Sequence, residues 1–511
     1  AAGTDSLTER LLDQLVIIVD PIQNPDGRER YLSMLQTYKS SVPNYNPRAM
    51  QHRGVWPWGR ANHYLFDMNR DWILLTQPET YGKVTTIQKW HPQMVVDAHE
   101  MGSDETYLFS PPREPINYNI TGNTRKWADV FSADQAHAFD KRGWTYYVGE
   151  WHEQWYPGYA SAWPSYFGAI AILYEQAGVD GQFVRQPDNY LLTYHQAVNQ
   201  QFTSSLTNLR TLADNREAIL RDYAKERADI VARGRKSGLT FLFAPDRDEV
   251  KMQRFIDRLV MQGIEVQQAT EPFTVTATDI YGKVHRGKQF PKGTFIVSTA
   301  QVNGALAKAI LEFDPKLKLS FLKEERRELE KYNSSRMYEV STWSLPLAYD
   351  VEAYSTTSRF KAATTPVSKV TVSGGKLHNP EATVGFVIDM VGEKTYQMLT
   401  RLFEKEVIVH AAEKPFTVEG RDYAGGALFI RRRGNADSLV SVLSRLAEEV
   451  GIDVYGVSTG ASTKGSYLGA PTFQLLTKPK VALISGDGLS FTDVGSLWFL
   501  LDKELKYPHS L

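Results

Sequence analysis

The chain has 511 residues, more than one ordinary domain, which predicts about two to four domains. Its 58 basic and 59 acidic residues nearly balance, so the charge indicates neither nucleic acid nor an anionic membrane surface as a partner. The absence of cysteine excludes disulfides, thiolate zinc sites and cysteine nucleophiles. No apolar run approaches the ~20 residues that a membrane-spanning helix needs.

The first 200 or so residues alternate apolar runs with helical patterns. The run "LVIIVD" (Leu15–Asp20) is continuously apolar and predicts a strand covered on both faces. The stretch "NPDG" (Asn24–Gly27) then predicts a turn. Helical spacing over Thr76–Trp90 leads into the strand "MVVDAHE", and "YFGAIAILYE" (Tyr166–Glu175) predicts another buried strand.

Strands covered on both faces, with helices between them, predict an α/β fold with a mixed central sheet flanked by helices. Functional side chains in such sheets lie at the carboxyl ends of strands. His99 and Glu175 both occupy such positions. The charged, helical stretch from Asp188 to about Lys236 closes this first region.

The second region contains an internal repeat. The stretch "GLTFLFAPDRDEVKMQRFIDRLVMQGIEVQQATEPFTV" predicts strand, helix and strand and ends in Pro272–Val275. The stretch "VGFVIDMVGEKTYQMLTRLFEKEVIVHAAEKPFTV" has the same order and ends in Pro415–Val418. A Gly-containing turn and an apolar strand follow each copy, and a polar, β-rich segment lies between them, from about Ser334 to Pro380. We expect a repeated α/β module.

The end of the chain, "KPKVALISGDGLSFTDVGSLWFLLDKEL", predicts a strand, a Gly-Asp-Gly turn and a helix. It resembles the opening of a glutamine-amidotransferase-like α/β domain. The expected domains are therefore residues 1–235, 236–478 and 479–511.

Four short stretches in the first domain are weak signals singly but informative in order: "NPDG", "FDMNRDW", "VVDAHE" and "ILYEQAG". Together, over about residues 5–200, they resemble the zinc carboxypeptidase family (peptidase family M14). The resemblance implies a mixed eight-stranded sheet with zinc at the strand ends, held by a His-x-x-Glu pair and one later histidine. The reaction implied is removal of C-terminal residues from peptides by zinc-activated water.

On the resemblance, His99 matches the later zinc ligand and Glu175 the general base. Asn69 and Arg70 match the pair that binds the substrate's terminal carboxylate, which the arginine fork can hold with two hydrogen bonds. Asp97, two residues before His99 on the same strand, is a candidate partner of the metal-binding imidazole.

Two further roles are implied, each with an alternative. The arginine that polarises the scissile carbonyl matches Arg60, with Arg53 as the competitor. The tyrosine that caps the substrate matches Tyr156, with Tyr159 as the alternative.

One part of the family pattern does not occur. The family places His-x-x-Glu before "NPDG", but the 23 residues before Asn24 contain no histidine. Two other occurrences of this spacing, His378–Glu381 and His410–Glu413, lie in the second region and are interpreted as chance. Since the chain starts at Ala1 rather than at a methionine, we expect it to belong to a longer protein that holds the missing ligands. This chain alone should bind zinc weakly or not at all.

The first hypothesis is thus a zinc metallocarboxypeptidase whose partner is a peptide with a free C-terminal carboxylate. The alternatives are a deacylase of N-acyl amino acids on the same fold, and a non-catalytic domain that binds peptide C-termini. Because many bacterial relatives are exported, we expect a periplasmic or secreted location, although the chain shows no signal peptide. The sequence does not decide the oligomeric state.

Overall fold

A computed structural model describes residues 5–120, 122–338, 340, 343–370 and 374–511. By its contacts, the chain divides into two compact units. Unit 1 is Ala1–Ala244 with Arg258–Val367, and unit 2 is Pro245–Asp257 with Ser368–Leu511. These limits differ from the boundaries after residues 235 and 478 expected from the sequence, and that three-domain division stays a prediction.

The first part of unit 1 alternates helices with short strands, as an α/β fold does. In chain order the elements are α1 (Ser6–Gln14), α2 (Pro25–Tyr38), α3 (Met50–Arg53), a 3-10 turn (Met68–Arg70), α4 (Pro78–Trp90), β1 (Met94–Met101), β2 (Tyr107–Phe109), β3 (Arg113–Ile116), α5 (Gly122–Asp140), β4 (Glu153–Gln154), a second 3-10 turn (Trp163–Phe167), β5 (Ile170–Ala177), β6 (Phe183–Arg185), β7 (Leu191–Thr193), α6 (Tyr194–Asp214) and α7 (Arg216–Ser237).

A three-stranded sheet in the order β1-β5-β2 forms the centre of this part. The middle strand β5 is parallel to β1 and antiparallel to β2. All of its residues are buried, as the apolar run "AIAILY" predicts for a strand covered on both faces. The resemblance implies eight strands, but the sheet that carries His99 and Glu175 has three in the described part of the chain.

The prediction of a buried strand at Leu15–Asp20 is wrong. This run belongs to no helix or strand, and Val16 and Val19 are 76% and 73% exposed. An apolar run becomes a strand only where a neighbouring strand takes its backbone hydrogen bonds and other elements cover its faces. "AIAILY" has such neighbours in β1 and β2.

The prediction of a turn at "NPDG" is also corrected. Asn24 is the N-cap of α2, Pro25 is its first residue, and the Asn24 side chain accepts a hydrogen bond from the Gly27 backbone. Asparagine before proline suits a helix start because the cap satisfies an unpaired N–H group and proline has no N–H to satisfy.

The second part of unit 1 is a seven-stranded sheet in the order β11-β10-β13-β8-β12-β9-β14. The elements from residue 240 to residue 367 are β8 (Thr240–Phe243), α8 (Glu249–Met261), β9 (Val266–Ala269), β10 (Phe273–Asp279), β11 (Val284–Phe290), β12 (Phe295–Ser298), α9 (Gly304–Leu311), α10 (Leu319–Tyr332), α11 (Leu345–Ala348), β13 (Ala353–Thr356) and β14 (Thr364–Val367). Of these, α8 up to Asp257 is assigned to unit 2.

Unit 2 contains a six-stranded sheet in the order β15-β21-β16-β20-β17-β22. The elements from residue 377 onward are β15 (Leu377–His378), β16 (Gly385–Ile388), α12 (Glu393–Glu404), β17 (His410–Ala412), β18 (Phe416–Val418), β19 (Arg421–Tyr423), β20 (Leu428–Arg431), α13 (Leu439–Val450), β21 (Val454–Val457), β22 (Phe473–Leu475), β23 (Val481–Ala482), α14 (Phe491–Phe499), a π-helical turn (Leu500–Glu504) and β24 (His509–Ser510).

The internal repeat is visible in the strand order of the two larger sheets. The run β13-β8-β12-β9-β14 in the first corresponds to β21-β16-β20-β17-β22 in the second. Every neighbouring pair in both runs is antiparallel. The strand–helix–strand unit predicted from the two Pro-Phe-Thr-Val stretches is therefore present twice.

The last segment has the predicted strand and helix, β23 and α14. Its likeness to an amidotransferase-like domain stays a prediction. Among the described helices, none is both long and apolar enough to cross a membrane.

Candidate functional site

The pairing of β1 with β5 places His99 directly opposite Glu175. The two strands are parallel neighbours, so their carboxyl ends lie at the same edge of the sheet. Two residues predicted to act together, but 76 positions apart, are thus brought side by side by backbone register.

Glu175 is a buried carboxylate. It is 7% exposed, and its Oε2 atom accepts no hydrogen bond from any described residue. Burial raises the pKa of Glu175 to about 7, the positive charge of His99 opposes the rise, and the negative charge of Asp97 adds to it. A carboxyl group with a pKa near neutrality can exchange a proton with substrate or water, which is what a general base does.

His99 is held by Asp97, and the distance between His99 Nε2 and Asp97 Oδ2 is 2.6 Å. The contact that the sequence left open is therefore made, since alternate residues of a strand point to one face. Burial alone lowers the pKa of His99, but the Asp97 carboxylate, by charge and hydrogen bond, and then Glu175 outweigh it, so the pKa is raised. With Nε2 donating to Asp97, the lone pair of the neutral ring is on Nδ1, the nitrogen able to bind a metal.

Asn69 connects His99 to the loop that contains Ala160. Its Nδ2 lies 3.3 Å from His99 Nε2, and its Oδ1 accepts a hydrogen bond of 2.8 Å from the Ala160 backbone. The Asp67 carboxylate caps the 3-10 turn by accepting from the Asn69 backbone at 2.9 Å. The turn thereby presents Asn69 and Arg70 beside His99.

Arg70 is surrounded by aromatic rings. Its guanidinium carbon is 4.7 Å from the centre of the Tyr159 ring and 5.4 Å from that of Tyr338. The Tyr156 hydroxyl donates to the Arg70 carbonyl oxygen at 2.8 Å, so Tyr156 holds the backbone rather than the charge. Both Tyr156 and Tyr159 are buried, so the structure puts the two alternatives for a capping tyrosine in contact with Arg70.

Arg60 lies close enough to Glu175 to lower its pKa and donates to Asp67 Oδ2 at 3.1 Å. Its competitor, Arg53, ends α3 and is exposed. Of the two arginines considered from the sequence, Arg60 is the one whose charge acts on Glu175.

The "NPDG" stretch has a positioning role that the sequence did not reveal. Asn24 Nδ2 donates to the carbonyl oxygens of Gly59 at 3.3 Å and Arg60 at 3.2 Å. A Cβ atom on Gly27 would lie 2.1 Å from the Gly59 oxygen, so only glycine allows this close approach. The start of α2 thus holds the loop that carries Arg60.

A second buried carboxylate, Glu153, lies close enough to Arg70 for the arginine's charge to lower its pKa. It is 3% exposed, and burial raises its pKa to about 7, opposed by a hydrogen bond from the Trp155 backbone and by the charges of Arg113 and Arg70. The neighbouring His152 is also buried, and burial lowers its pKa to about 3. The sequence signal was the apolar and aromatic context "GEWHEQWYPGY", which predicts burial of His152 and Glu153 within it.

The described residues do not form a zinc site. Within the described parts of the chain, no three His, Asp or Glu side chains are arranged to hold a metal ion, and His99 is a single ligand. His378 pairs with Asp453 at 3.1 Å, and His410 Nε2 lies 2.8 Å from an Arg431 nitrogen, so these histidines have other partners.

Comparison with known proteins adds little to this geometry. No family model and no curated protein matches the chain. A solved structure, a metallo-carboxypeptidase from Pseudomonas aeruginosa in complex with (2-guanidinoethylmercapto)succinic acid, aligns at 16% identity over 42% of this chain, with a TM-score of 0.25. The chain spans about half of that protein, 53% of its length. A similarity this low leaves the function to be argued from the residues themselves.

Proposed function

We propose that this chain carries the general base and the carboxylate-binding residues of a metallocarboxypeptidase, which hydrolyses the C-terminal peptide bond of its substrate. The observation that carries the proposal is the pairing of Glu175 with His99 on adjacent parallel strands. Burial of a carboxylate on a strand costs free energy, so a buried carboxylate at this position indicates a partner or a function.

In this proposal Glu175 takes a proton from the attacking water and passes it to the leaving amine. Its pKa of about 7 suits both halves of that transfer near neutral pH. Arg60 stabilises the negative charge that develops on the carbonyl oxygen. Asn69 and Arg70 bind the substrate's terminal carboxylate, the group that distinguishes a chain end from an internal bond.

Zinc remains a prediction from the family resemblance. The described residues would contribute one ligand, His99, with Asp97 fixing its ring by the hydrogen bond to Nε2. The proposal concerns the protein as it occurs naturally.

The test uses the natural protein, wild type and Glu175→Gln, on peptides with a free C-terminus, the same peptides as C-terminal amides, and N-acyl amino acids. We expect release of C-terminal residues from the free peptides alone, and a loss of about 100-fold or more in kcat for Glu175→Gln. Glu271→Gln, at an exposed position, is the matched control and should retain full activity.

Two results would contradict the proposal in different ways. Hydrolysis of N-acyl amino acids in place of peptides would make the protein a deacylase. Tight binding of free peptides with no hydrolysis, and no zinc by elemental analysis, would make it a peptide-binding domain.

A further inference from the structure

Tyr338 reaches the candidate site from a part of the chain more than 160 residues beyond β5. The sequence placed it in the polar segment between the repeats, with no functional role. In the structure its ring lies 5.4 Å from the Arg70 guanidinium carbon, within the range of a cation–π interaction. Both residues belong to unit 1.

The two aromatic rings on Arg70 form a corner. The guanidinium carbon is 4.7 Å from the Tyr159 ring centre, and the ring centres of Tyr159 and Tyr338 are 6.2 Å apart. If the two rings lay on opposite faces of the guanidinium, the distance between their centres would be the sum of their two distances to the guanidinium carbon. That sum is much larger than the observed 6.2 Å. The rings therefore cover two adjoining sides of the group and restrict the directions in which its N–H groups can point.

The segment Ser335–Tyr338 is fixed in place by hydrogen bonds. Arg113 donates to the Arg336 carbonyl oxygen at 2.6 Å, and the Arg336 backbone donates to Glu325 Oε2 at 2.7 Å. The Tyr338 ring also packs 5.7 Å from the ring of Trp151. Although Tyr338 is 38% exposed, the hydrogen bonds of Arg336 and the contact with Trp151 fix its position.

We propose that Tyr338 is a positioning residue for Arg70 and completes the carboxylate-binding site together with Tyr159. The inference rests on the proposed function, because it takes Arg70 as the group that binds the substrate's terminal carboxylate. A guanidinium held at a corner between two aromatic rings loses less freedom when it binds a carboxylate. The ring of Tyr338, not its hydroxyl, supplies this effect.

The experiment measures binding to the 511-residue chain by titration calorimetry, with N-acetyl-alanyl-alanine and its C-terminal amide as probes. The quantity compared is the ratio of the two affinities. We expect Tyr338→Leu to reduce the preference for the free carboxylate by roughly three- to tenfold and Tyr338→Phe to keep it within about twofold. Tyr281→Leu, at a tyrosine 87% exposed in unit 1, is the matched control and should leave it unchanged.

An Arg70→Gln variant distinguishes an error in the role of Tyr338 from an error in the carboxylate-binding role of Arg70. If Arg70→Gln abolishes the carboxylate preference but Tyr338→Leu does not reduce it, the role of Tyr338 is wrong and the proposed function stands. If Arg70→Gln leaves the preference intact, the carboxylate-binding role of Arg70 itself is wrong. Thermal midpoints by circular dichroism identify a variant that fails to fold, and in that case a Tyr338→Phe variant that loses the carboxylate preference contradicts the proposal, because its ring is intact.

Discussion

Glu175 occupies a place in the sheet where ionisation is unfavourable. A surface carboxyl group would serve as well for solubility, and a buried apolar residue would pack better against the rings around β5. The neighbouring charges set its proton affinity: His99 and Arg60 favour the ionised form, whereas Asp97 and Glu100 oppose it. At the scale of single residues, opposing charges therefore set the pKa values in the site. Those of Glu175 and His99 can be tested without any substrate.

The first prediction concerns pH and stability in Glu175→Gln. The folded-state pKa of Glu175 is raised from 4.5 to about 7, so the folded wild type favours the protonated form. Its contribution to stability is fully present below about pH 4.5 and is lost as the pH rises through about 7. The amide does not titrate. At about 1.4 kcal/mol per pKa unit, we expect Glu175→Gln to be more stable than wild type by up to roughly 3 kcal/mol at pH 8.

Urea unfolding at pH 4.5 and pH 8 measures this difference. The exposed Glu271→Gln should show no comparable change between the two pH values. A Glu175→Gln protein with the same stability difference from wild type at both pH values would show that the Glu175 carboxylate is solvated.

The second prediction concerns the Asp97–His99 pair. In Asp97→Asn the charge and the charged hydrogen bond that raise the pKa of His99 are removed, while the burial that lowers it remains. We therefore expect the His99 pKa to fall from its wild-type value. Titration of the imidazole Cε1 protons by NMR, in wild type and in Asp97→Asn, measures it. An unchanged His99 pKa would mean that Asp97 does not act on the imidazole in solution.

At the scale of elements, helix α2 and the loop before the first 3-10 turn depend on one close contact. The cap residue Asn24 bonds the backbone of Gly59 and Arg60, and Gly27 approaches the same loop with no side chain between them. The stretch that reads as a turn in the sequence thus sets the position of a candidate catalytic arginine. Local propensity could indicate the helix start, but not the loop packed against it.

The third prediction compares two glycines in helices. In Gly27→Ala the new Cβ atom would lie 2.1 Å from the Gly59 oxygen, so α2 or the loop must move, and we expect a loss of roughly 1–3 kcal/mol in unfolding free energy. Gly82, inside α4, has no atom within 4 Å of such a Cβ. Gly82→Ala should therefore gain up to about 1 kcal/mol, because alanine favours a helix. Denaturant unfolding measures both, and a gain in Gly27→Ala would contradict the close contact.

The two apolar runs Leu15–Asp20 and Ile170–Ala177 show why element predictions succeed or fail. Both are rich in residues that favour strands, and the sequence predicted a buried strand for each. The second is covered because β1 and β2 flank it, whereas the first has no pairing strand and is exposed. Composition reports the capacity to form a strand, and the presence of neighbours decides the outcome.

At the scale of the whole molecule, unit 1 and unit 2 each contain an apolar core cluster. The unit 2 core includes Ile430, which is fully buried on β20, in one cluster with Phe386 and Leu443. Ten of the eleven tryptophans lie in unit 1, and Trp498 lies in unit 2. Tryptophan fluorescence therefore reports mainly on unit 1, whereas far-UV circular dichroism reports on the helices and strands of both units.

The fourth prediction uses this asymmetry. Ile430→Ala leaves a cavity in the unit 2 core and should cost about 2–4 kcal/mol there. If each unit unfolds as its own cooperative body, the far-UV circular dichroism signal will begin to change at a lower temperature than in wild type, while the tryptophan fluorescence transition keeps its midpoint. Equal shifts of both signals would show that the chain unfolds as one cooperative body.

The sequence by itself determined the α/β class, the buried strand before Glu175, the helices around it and the internal repeat, because these follow from the local order of apolar and polar residues. It also singled out His99, Glu175, Asn69 and Arg70. Tertiary structure alone decided which of Arg53 and Arg60 acts on Glu175, that Asp97 holds His99, and that Glu153 and Tyr338 lie around Arg70. These contacts join residues distant in the chain, and their formation depends on register, burial and backbone approach, which no local pattern encodes.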